Sequence, residues 1–246
     1  MATAVIAETV DASRLYGASM DFWRYQGPEV ILSGPYETGK TYAALSKLHT
    51  LLCAVSGCQA LMVRKTQKSA VGSCVQTYRN KILPIPPDNP RSQVVEFGGQ
   101  KPEHFDYPNK SRLTVGGMDN ADKFLSAEYD YIYVNQAEEL TLDDWEKLTG
   151  RATGRAGNAP WTQVMADCNP GPPTHWILKR DRLKRFESRH EDNPILHDHK
   201  VGAWTAQGKR TLQALDSLTG VRYKRGRLGL WVAAEGQVYE FDSAIH

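Results

Sequence analysis

The feature that most constrains this chain is a glycine-rich loop near its start. Residues 34–41 follow the pattern G-x-x-x-x-G-K-T, which is that of a phosphate-binding loop. Its two glycines permit backbone angles that residues with a Cβ resist, so several N–H groups can turn toward one anion. In such loops the lysine ammonium meets the β- and γ-phosphates, and the threonine hydroxyl binds Mg²⁺. The pattern therefore predicts a site for ATP and Mg²⁺.

The flanking sequence supplies the strand and the helix that this motif requires. Residues 30–32 form a short apolar run that predicts a buried strand entering the loop. Between residues 44 and 55, apolar side chains recur at helical spacing, and the positive end of that helix would face the anion. Lys40 is also a candidate catalytic residue, and Thr41 is the candidate metal ligand. The residues predicted to surround the phosphates are Gly34, Pro35, Tyr36, Glu37, Thr38, Gly39, Lys40 and Thr41.

Composition narrows the class of protein. The 246 residues suffice for one α/β domain with a large core. The net charge of +2 provides no basic field over the whole molecule, so contact with nucleic acid would have to come from local patches. No apolar run approaches the ~20 residues that span a bilayer, and the N-terminus lacks a signal-peptide pattern. The four cysteines lack metal-ligand spacing, which favours free thiols in a reducing cytosol. The sequence predicts a soluble, intracellular protein with no membrane partner.

The first residues precede the predicted P-loop domain, which we assign to residues 28–240. Residues 1–27 form a lead-in that could cover the adenine side of a nucleotide, with Tyr16, Trp23 and Arg24 as candidate contacts. A hydrophobic flap over the sheet is an alternative explanation for the aromatic residues.

A basic cluster follows the second predicted strand, residues 60–63. Residues 64–68 would lie at the C-terminal edge of the sheet, where ligands bind in doubly wound folds. Arg64 could therefore sense phosphate or face DNA, and a solvated loop is the open alternative. Downstream, residues 71–82 have the spacing of an amphipathic helix, and residues 91–118 predict three short β segments.

Residues 129–140 resemble a Walker B strand in their β-rich run and polar end. In that strand an Asp usually supports Mg²⁺ and a Glu usually orients the attacking water. Here the strand ends in Asn135 and Gln136, and Glu138 and Glu139 follow. The amides could still hydrogen-bond a magnesium-bound water, without a negative charge. Either glutamate could act as the catalytic base; otherwise the domain would be a slow hydrolase.

Two arginines follow the next predicted helix. Arg151 and Arg155 flank a glycine-containing loop. In ring ATPases such an arginine often reaches the γ-phosphate of the neighbouring subunit and neutralises charge in the transition state. A solvated surface position is the alternative for both residues.

Two further segments are candidates for ligand contact. Asn169 follows a predicted strand at residues 163–166 and could touch the γ-phosphate, although a capped turn explains it equally well. Residues 179–185 form the densest basic run, on a predicted helix, and could bind DNA phosphates.

In combination, these stretches resemble the large terminase subunit of tailed bacteriophages. The phosphate loop alone is generic, whereas the ordered set covers nearly the whole chain. The segments that carry the resemblance are 34–41, Val63-Arg64-Lys65, 117–123, 129–140, Asn169-Pro170-Gly171, 191–194, Gly229-Leu230-Trp231 and 236–242.

The resemblance implies an ASCE-type ATPase that binds ATP and Mg²⁺ in the cytoplasm of an infected bacterium. In that family a homo-oligomeric ring, usually a pentamer, docks on the portal protein of an empty capsid and moves double-stranded DNA into it. A small terminase subunit is a further partner. Members carry a nuclease domain after the stretch that 236–242 resembles, so 241–246 would begin the linker to it, and no nuclease activity is expected here.

The resemblance also identifies where this chain departs from the family. The acidic Walker B pair falls on Asn135 and Gln136, and the arginine that many members have inside the phosphate loop is missing. This absence directs attention to Arg64, Arg151 and Arg155.

We therefore expect a doubly wound, mainly parallel α/β sheet of the P-loop NTPase type (ASCE/RecA-like) with short β embellishments. The expected activity is ATP hydrolysis coupled to DNA translocation. A P-loop kinase acting on nucleotides or small molecules is one alternative. A nucleotide-binding module with little hydrolysis, suggested by Asn135 and Gln136, is another.

Overall fold

The computed structural model describes residues 14–234. Residues 1–13, the 236–242 stretch and the predicted linker at 241–246 lie outside the described residues. The helices are α1 (Gly17–Arg24), α2 (Lys40–Ala54), α3 (Gln67–Ala70), α4 (Asp122–Leu125), α5 (Leu142–Thr149), α6 (Trp176–Lys179), α7 (Ala206–Asp216) and α8 (Gly220–Gly226). The strands are β1 (Glu29–Ser33), β2 (Gln59–Arg64), β3 (Val95–Phe97), β4 (His104–Asp106), β5 (Arg112–Gly117), β6 (Tyr131–Val134), β7 (Gln163–Cys168), β8 (Lys184–Glu187), β9 (His197–Asp198) and β10 (Ala203–Trp204).

Eight strands form one sheet in the order β3-β4-β5-β2-β6-β7-β1-β8. The six strands from β5 to β8 in this order pair in parallel, whereas β3 and β4 add an antiparallel edge next to β5. β9 and β10 make a separate antiparallel pair. The expected doubly wound, mainly parallel sheet with short β embellishments is confirmed.

Both faces of the sheet are buried, which explains why its central strands are almost continuously apolar. Successive side chains on a strand point to opposite faces. Val30 and Leu32 accordingly join a core cluster that includes α2, whereas Ile31 joins a second cluster that includes Trp145 of α5. The molecule is therefore a three-layer α/β/α structure.

The order of the strands places β7 directly beside the phosphate-loop strand β1, and β6 one strand further away. Because parallel strands share a direction, the loops that follow β1, β2, β6, β7 and β8 all emerge at one edge of the sheet. The phosphate loop, Asn135, Asp167 and Asn169 lie at this C-terminal edge.

The helix predicted over the basic run 179–185 is wrong. α6 ends at Lys179, and β8 pairs in parallel with β1 at the edge of the sheet. Arg180 forms an ion pair with Glu29 instead of facing solvent. Pairing with β1 and burial of this arginine outweigh the local helical pattern.

Other expectations concern single elements. Residues 71–82 are helical as predicted, continuing α3 through two π-helical segments, Val71–Val75 and Tyr78–Ile82. The four cysteines are free thiols, and three of them are buried. Within residues 14–234, every helix is too short or too polar to cross a lipid bilayer.

Candidate nucleotide-binding site

The loop between β1 and α2 needs its two glycines for different reasons. Gly39 has a φ of 83°, in the left-handed region, where it ends the loop and begins α2. Gly34 packs against the end of β8, because an added Cβ would lie 2.6 Å from the carbonyl oxygen of Ser188. Thr38 shares a 2.7 Å hydrogen bond with the Ser188 hydroxyl, which fixes the loop from the same side.

Lys40 reaches back over the loop that precedes it. Its Nζ donates hydrogen bonds to the carbonyl oxygens of Gly34, at 2.9 Å, and of Pro35. The side chain is almost fully buried, and this burial lowers the pKa of Lys40, although the nearby Asp167 acts in the opposite direction. The ammonium thus holds the loop closed on itself, and phosphate oxygens would have to replace these carbonyl contacts.

The hydroxyl of Thr41 donates a hydrogen bond to Oδ2 of Asp167. Asp167 lies near the end of β7 and is only 2% exposed. None of the sequence motifs pointed to Asp167. The available signal was an acid inside an otherwise apolar strand, because a buried carboxylate is costly unless specific partners compensate it.

The two residues at the predicted Walker B position both donate to this carboxylate, Asn135 through its side-chain amide and Gln136 through its backbone N–H. Asn135 donates through Nδ2 to Asp167 at 3.1 Å and to the Tyr133 hydroxyl at 3.1 Å. Its Oδ1 accepts a hydrogen bond from Ser73 at 3.2 Å. The backbone N–H of Gln136 donates to Oδ1 of Asp167 at 2.8 Å, from a left-handed conformation with a φ of 54°.

The two candidate glutamates occupy different environments. Glu138 is largely buried and accepts a 2.8 Å hydrogen bond from Nδ2 of Asn169. Burial raises the pKa of Glu138 to about 7, while hydrogen bonds from Asn169 oppose the increase. Its second oxygen accepts no hydrogen bond from residues 14–234. Glu139 instead forms a two-bond ion pair with Arg64, at 2.8 and 3.1 Å.

The three candidate arginines are divided between opposite edges of the sheet. Arg64 ends β2 at the C-terminal edge, near the other site residues. Arg151 lies at the opposite edge, where its carbonyl accepts a 2.8 Å hydrogen bond from the N–H of Tyr129, just before β6. Arg155 pairs with the neighbouring Glu128 at that same edge. The structure therefore does not bring Arg151 and Arg155 to this chain's own phosphate loop.

A cavity of about 960 Å³ opens beside the phosphate loop, within the size range of small-molecule sites. Leu15 and Ser19 of the lead-in contribute to its wall. The three side chains predicted to contact adenine do not: for example, Tyr16 stacks on His199 and Trp23 packs against the core. The site residues that line the cavity are Tyr36, Glu37, Thr38, Gly39, Lys40, Thr41, Gln136, Asp167 and Asn169.

A segment at residues 226–232, here called the strap, joins two loops of the site. The Gly226 carbonyl accepts a 2.9 Å hydrogen bond from the N–H of Tyr36, and Gly229 packs against Pro35. At the other end, the N–H of Val232 donates to the Gly171 carbonyl at 3.0 Å. The strap thereby connects the phosphate loop to the loop that follows β7.

Comparison with known proteins gives matches in structure only. No protein-family model matches the chain, and no curated protein is significantly similar to it in sequence. The large terminase of a thermophilic bacteriophage, in complex with ATP-γ-S, superposes with a TM-score of 0.64 at 16% identity, over 89% of this chain and 53% of that chain. The large terminase ATPase domain of Thermus phage P74-26 gives a TM-score of 0.60 at 13% identity, over 88% and 94% of the two chains. The HK97 bacteriophage large terminase gives 0.55 at 15% identity, over 91% and 53%.

The TM-scores establish a shared fold. Because the sequence identities are only 13–16%, the superpositions establish the fold alone. They confirm, at the level of structure, the resemblance to large terminase subunits that the sequence motifs carry. The chain spans about half the length of the HK97 terminase and of the terminase solved with ATP-γ-S.

Proposed function

We propose that this chain is the ATP-hydrolysing motor domain of a viral DNA-packaging terminase. The observation that carries the proposal is a single cluster at the C-terminal edge of the sheet. In it, the Thr41 hydroxyl donates to Asp167, and Lys40 is buried close enough to Asp167 for that charge to oppose the lowering of its pKa by burial. Asn169 donates to Glu138 in the same cluster. The shared fold with large terminases, one of them solved with ATP-γ-S, supports this assignment.

Lys40 would bind the β- and γ-phosphates of ATP, and Thr41 would bind Mg²⁺. A hydroxyl and a carboxylate meet at this point, and both are the oxygen ligands that Mg²⁺ prefers, so the residues present fit the ion. When bound, Mg²⁺ would neutralise charge on the phosphate oxygens. Backbone N–H groups of the loop from Glu37 to Gly39 would surround the phosphates, since Pro35 has no N–H and that of Tyr36 donates to the Gly226 carbonyl.

Glu138 is the better of the two candidates for the base that orients the attacking water. It is largely buried, lies close enough to Lys40 for its charge to act on that lysine, and has one oxygen free of hydrogen bonds from the described residues. Glu139 is instead held by Arg64. A pKa near neutrality suits general-base catalysis. Asn169 would position Glu138 and couple hydrolysis to movement.

The partners follow from the same proposal. The chain would act in a homo-oligomeric ring, with a portal protein and a small terminase subunit, on double-stranded DNA in the host cytoplasm. Arg151 and Arg155 lie far from this chain's own phosphate loop, so either would serve the site of a neighbouring subunit. Arg64, which pairs with Glu139, would act at the nucleotide site of its own subunit, where it could sense phosphate.

Calorimetry with magnesium ATP-γ-S, together with steady-state phosphate release, tests the proposal. Lys40→Ala should weaken binding at least about tenfold and abolish phosphate release, because it removes the charge that meets the phosphates. The control is Lys147→Ala, which removes an exposed lysine of α5. Unchanged hydrolysis in Lys40→Ala would refute the assignment.

The alternative of a binding module with little hydrolysis is favoured by Asn135, which stands where an acid is expected. Phosphate release measured in Glu138→Ala and in Glu139→Ala separates the two proposals, since the module predicts slow release in the wild type and no further loss. A kinase would transfer phosphate to an acceptor and would not respond to DNA.

A further inference from the structure

Asp167 is in direct contact with the hydroxyl that would bind magnesium. Thr41 donates a hydrogen bond to its Oδ2, and Asn135 and Gln136 donate to its Oδ1. We propose that Asp167, on β7, supplies the carboxylate of the Mg²⁺ site, and that Asn135, on the adjacent strand, positions it. This inference rests on the function proposed above.

The register of the sheet allows the metal-binding carboxylate to come from β7 instead of from β6, where the Walker B acid was expected. Val134 of β6 pairs with Ala166 of β7, so the next residues, Asn135 and Asp167, lie side by side. They also share a face of the sheet, because each follows by two positions a residue of the α2-side core, Tyr133 and Met165. A carboxylate at either position therefore faces the first turn of α2.

The hydrogen bonds of Asn135 disqualify it as the metal ligand. A carboxylate can only accept hydrogen bonds, so Asn135 must turn its NH₂ group toward Asp167, and that group repels a cation. Its oxygen is directed away, toward the Ser73 hydroxyl. Asn135 thus acts as a donor that fixes the orientation of Asp167.

Asp167 itself has the properties that a magnesium carboxylate requires. Its Oδ1 accepts from two N–H donors, and its Oδ2 accepts from Thr41 and, at 3.3 Å, from Asn135. The Thr41 hydroxyl can keep its bond to Oδ2 while a lone pair binds the ion. The other described carboxylates of the cavity wall are Glu37 and Asp192. Glu37 is exposed, and Asp192 accepts from the N–H of Arg189.

The test measures ATP-γ-S affinity by calorimetry, once in EDTA and once with excess Mg²⁺. In the wild type, Mg²⁺ should tighten binding. Asp167→Asn should lose about 10-fold or more of this Mg²⁺ effect, because replacing even a residue that only orients a metal ligand costs about 10- to 100-fold, while its affinity in EDTA stays equal or rises. Electron paramagnetic resonance of Mn²⁺ with ATP-γ-S should show matching loss of bound metal. The control is Asp181→Asn, an exposed acid beyond α6.

A second variant exchanges the two groups. Asn135→Asp combined with Asp167→Asn returns a carboxylate to the same face, and it should regain a substantial part of the Mg²⁺ effect. This variant decides the matter if Asp167→Asn alone does not fold, and failure to regain any Mg²⁺ effect overturns the inference.

The outcomes separate this inference from the proposed function. A full Mg²⁺ effect in folded Asp167→Asn overturns the assignment of the carboxylate and leaves the nucleotide site intact. A wild-type chain that binds no ATP-γ-S under either condition overturns both.

Discussion

Replacing Glu138 by Gln should change how stability depends on pH. Burial raises the pKa of this carboxyl from its ordinary value of 4.5 to about 7, so the folded chain holds the proton more tightly than the unfolded chain does. The free energy of unfolding is therefore highest below pH 4.5 and falls as the pH rises through 7. At 1.36 kcal/mol per pKa unit, the loss amounts to about 3 kcal/mol.

Gln carries no charge at any pH and keeps the oxygen that accepts from Asn169. The Glu138→Gln variant should consequently gain stability relative to the wild type between about pH 4.5 and pH 7, by up to about 3 kcal/mol. Urea unfolding followed by tryptophan fluorescence at several pH values measures the difference. Glu187→Gln, an exposed position on β8, is the matched control and should follow the wild-type curve.

A constant difference between Glu138→Gln and the wild type across this range would refute the reasoning. It would mean that the carboxyl loses its proton at the same pH in the folded and unfolded chains, so that burial costs its charged form nothing. The role of Glu138 as a base with a raised pKa would then lose its physical basis.

Three further predictions concern the ion pair at the sheet edge, the strap and the cavity. Glu29→Ala should lower the free energy of unfolding by about 1–3 kcal/mol, measured by urea titration, because it leaves the buried Trp145 Nε1–H without its acceptor and leaves Arg180 with only the exposed Glu146 as a carboxylate partner. Gly226→Ala should weaken ATP-γ-S binding in calorimetry, because its Cβ would lie 2.5 Å from the ring of Tyr36 and displace the phosphate loop. Asn169→Ala should slow phosphate release about tenfold or more with little change in nucleotide affinity, because it removes a hydrogen bond that positions the buried glutamate.

Each of these has a control or a contrary outcome. Gly72→Ala adds a Cβ that meets no atom within 4 Å and should leave ATP-γ-S binding unchanged. Equal stability of Glu29→Ala and the wild type would show that Glu146 alone is a sufficient partner for Arg180 and that the Trp145 N–H needs no protein acceptor. Equal loss of affinity and of phosphate release in Asn169→Ala would assign this residue to binding instead of catalysis.

The phosphate loop could be predicted because strand, loop and helix are consecutive in the chain. The parallel sheet also follows from local patterns of apolar residues. Asp167 could not be found in this way, because its contact with Thr41 depends on the order of the strands, which puts β7 beside β1. The difference between Glu138 and Glu139 was also hidden, since it arises where Gln136 adopts a left-handed conformation and a 3₁₀ turn follows.

The basic run 179–185 shows the converse limit. Its charges suggested an exposed helix for binding DNA, yet Arg180 is used inside the protein and the segment becomes an edge strand. A run of charged residues in a sequence shows that polar groups are present and does not show where they point. Whether they face solvent or an internal partner depends on distant residues such as Glu29.

The strap has a mechanical consequence. Since one short segment is hydrogen-bonded to both Tyr36 and Gly171, we expect a shift of either loop to move the other without any change in the sheet between them. When Lys40 exchanges its carbonyl contacts for phosphate oxygens, Pro35 would move, and with it Gly229, which packs against Pro35. The strap would then displace Gly171, two residues after Asn169. Binding and release of the nucleotide would thus shift the phosphate loop and the loop after β7 together.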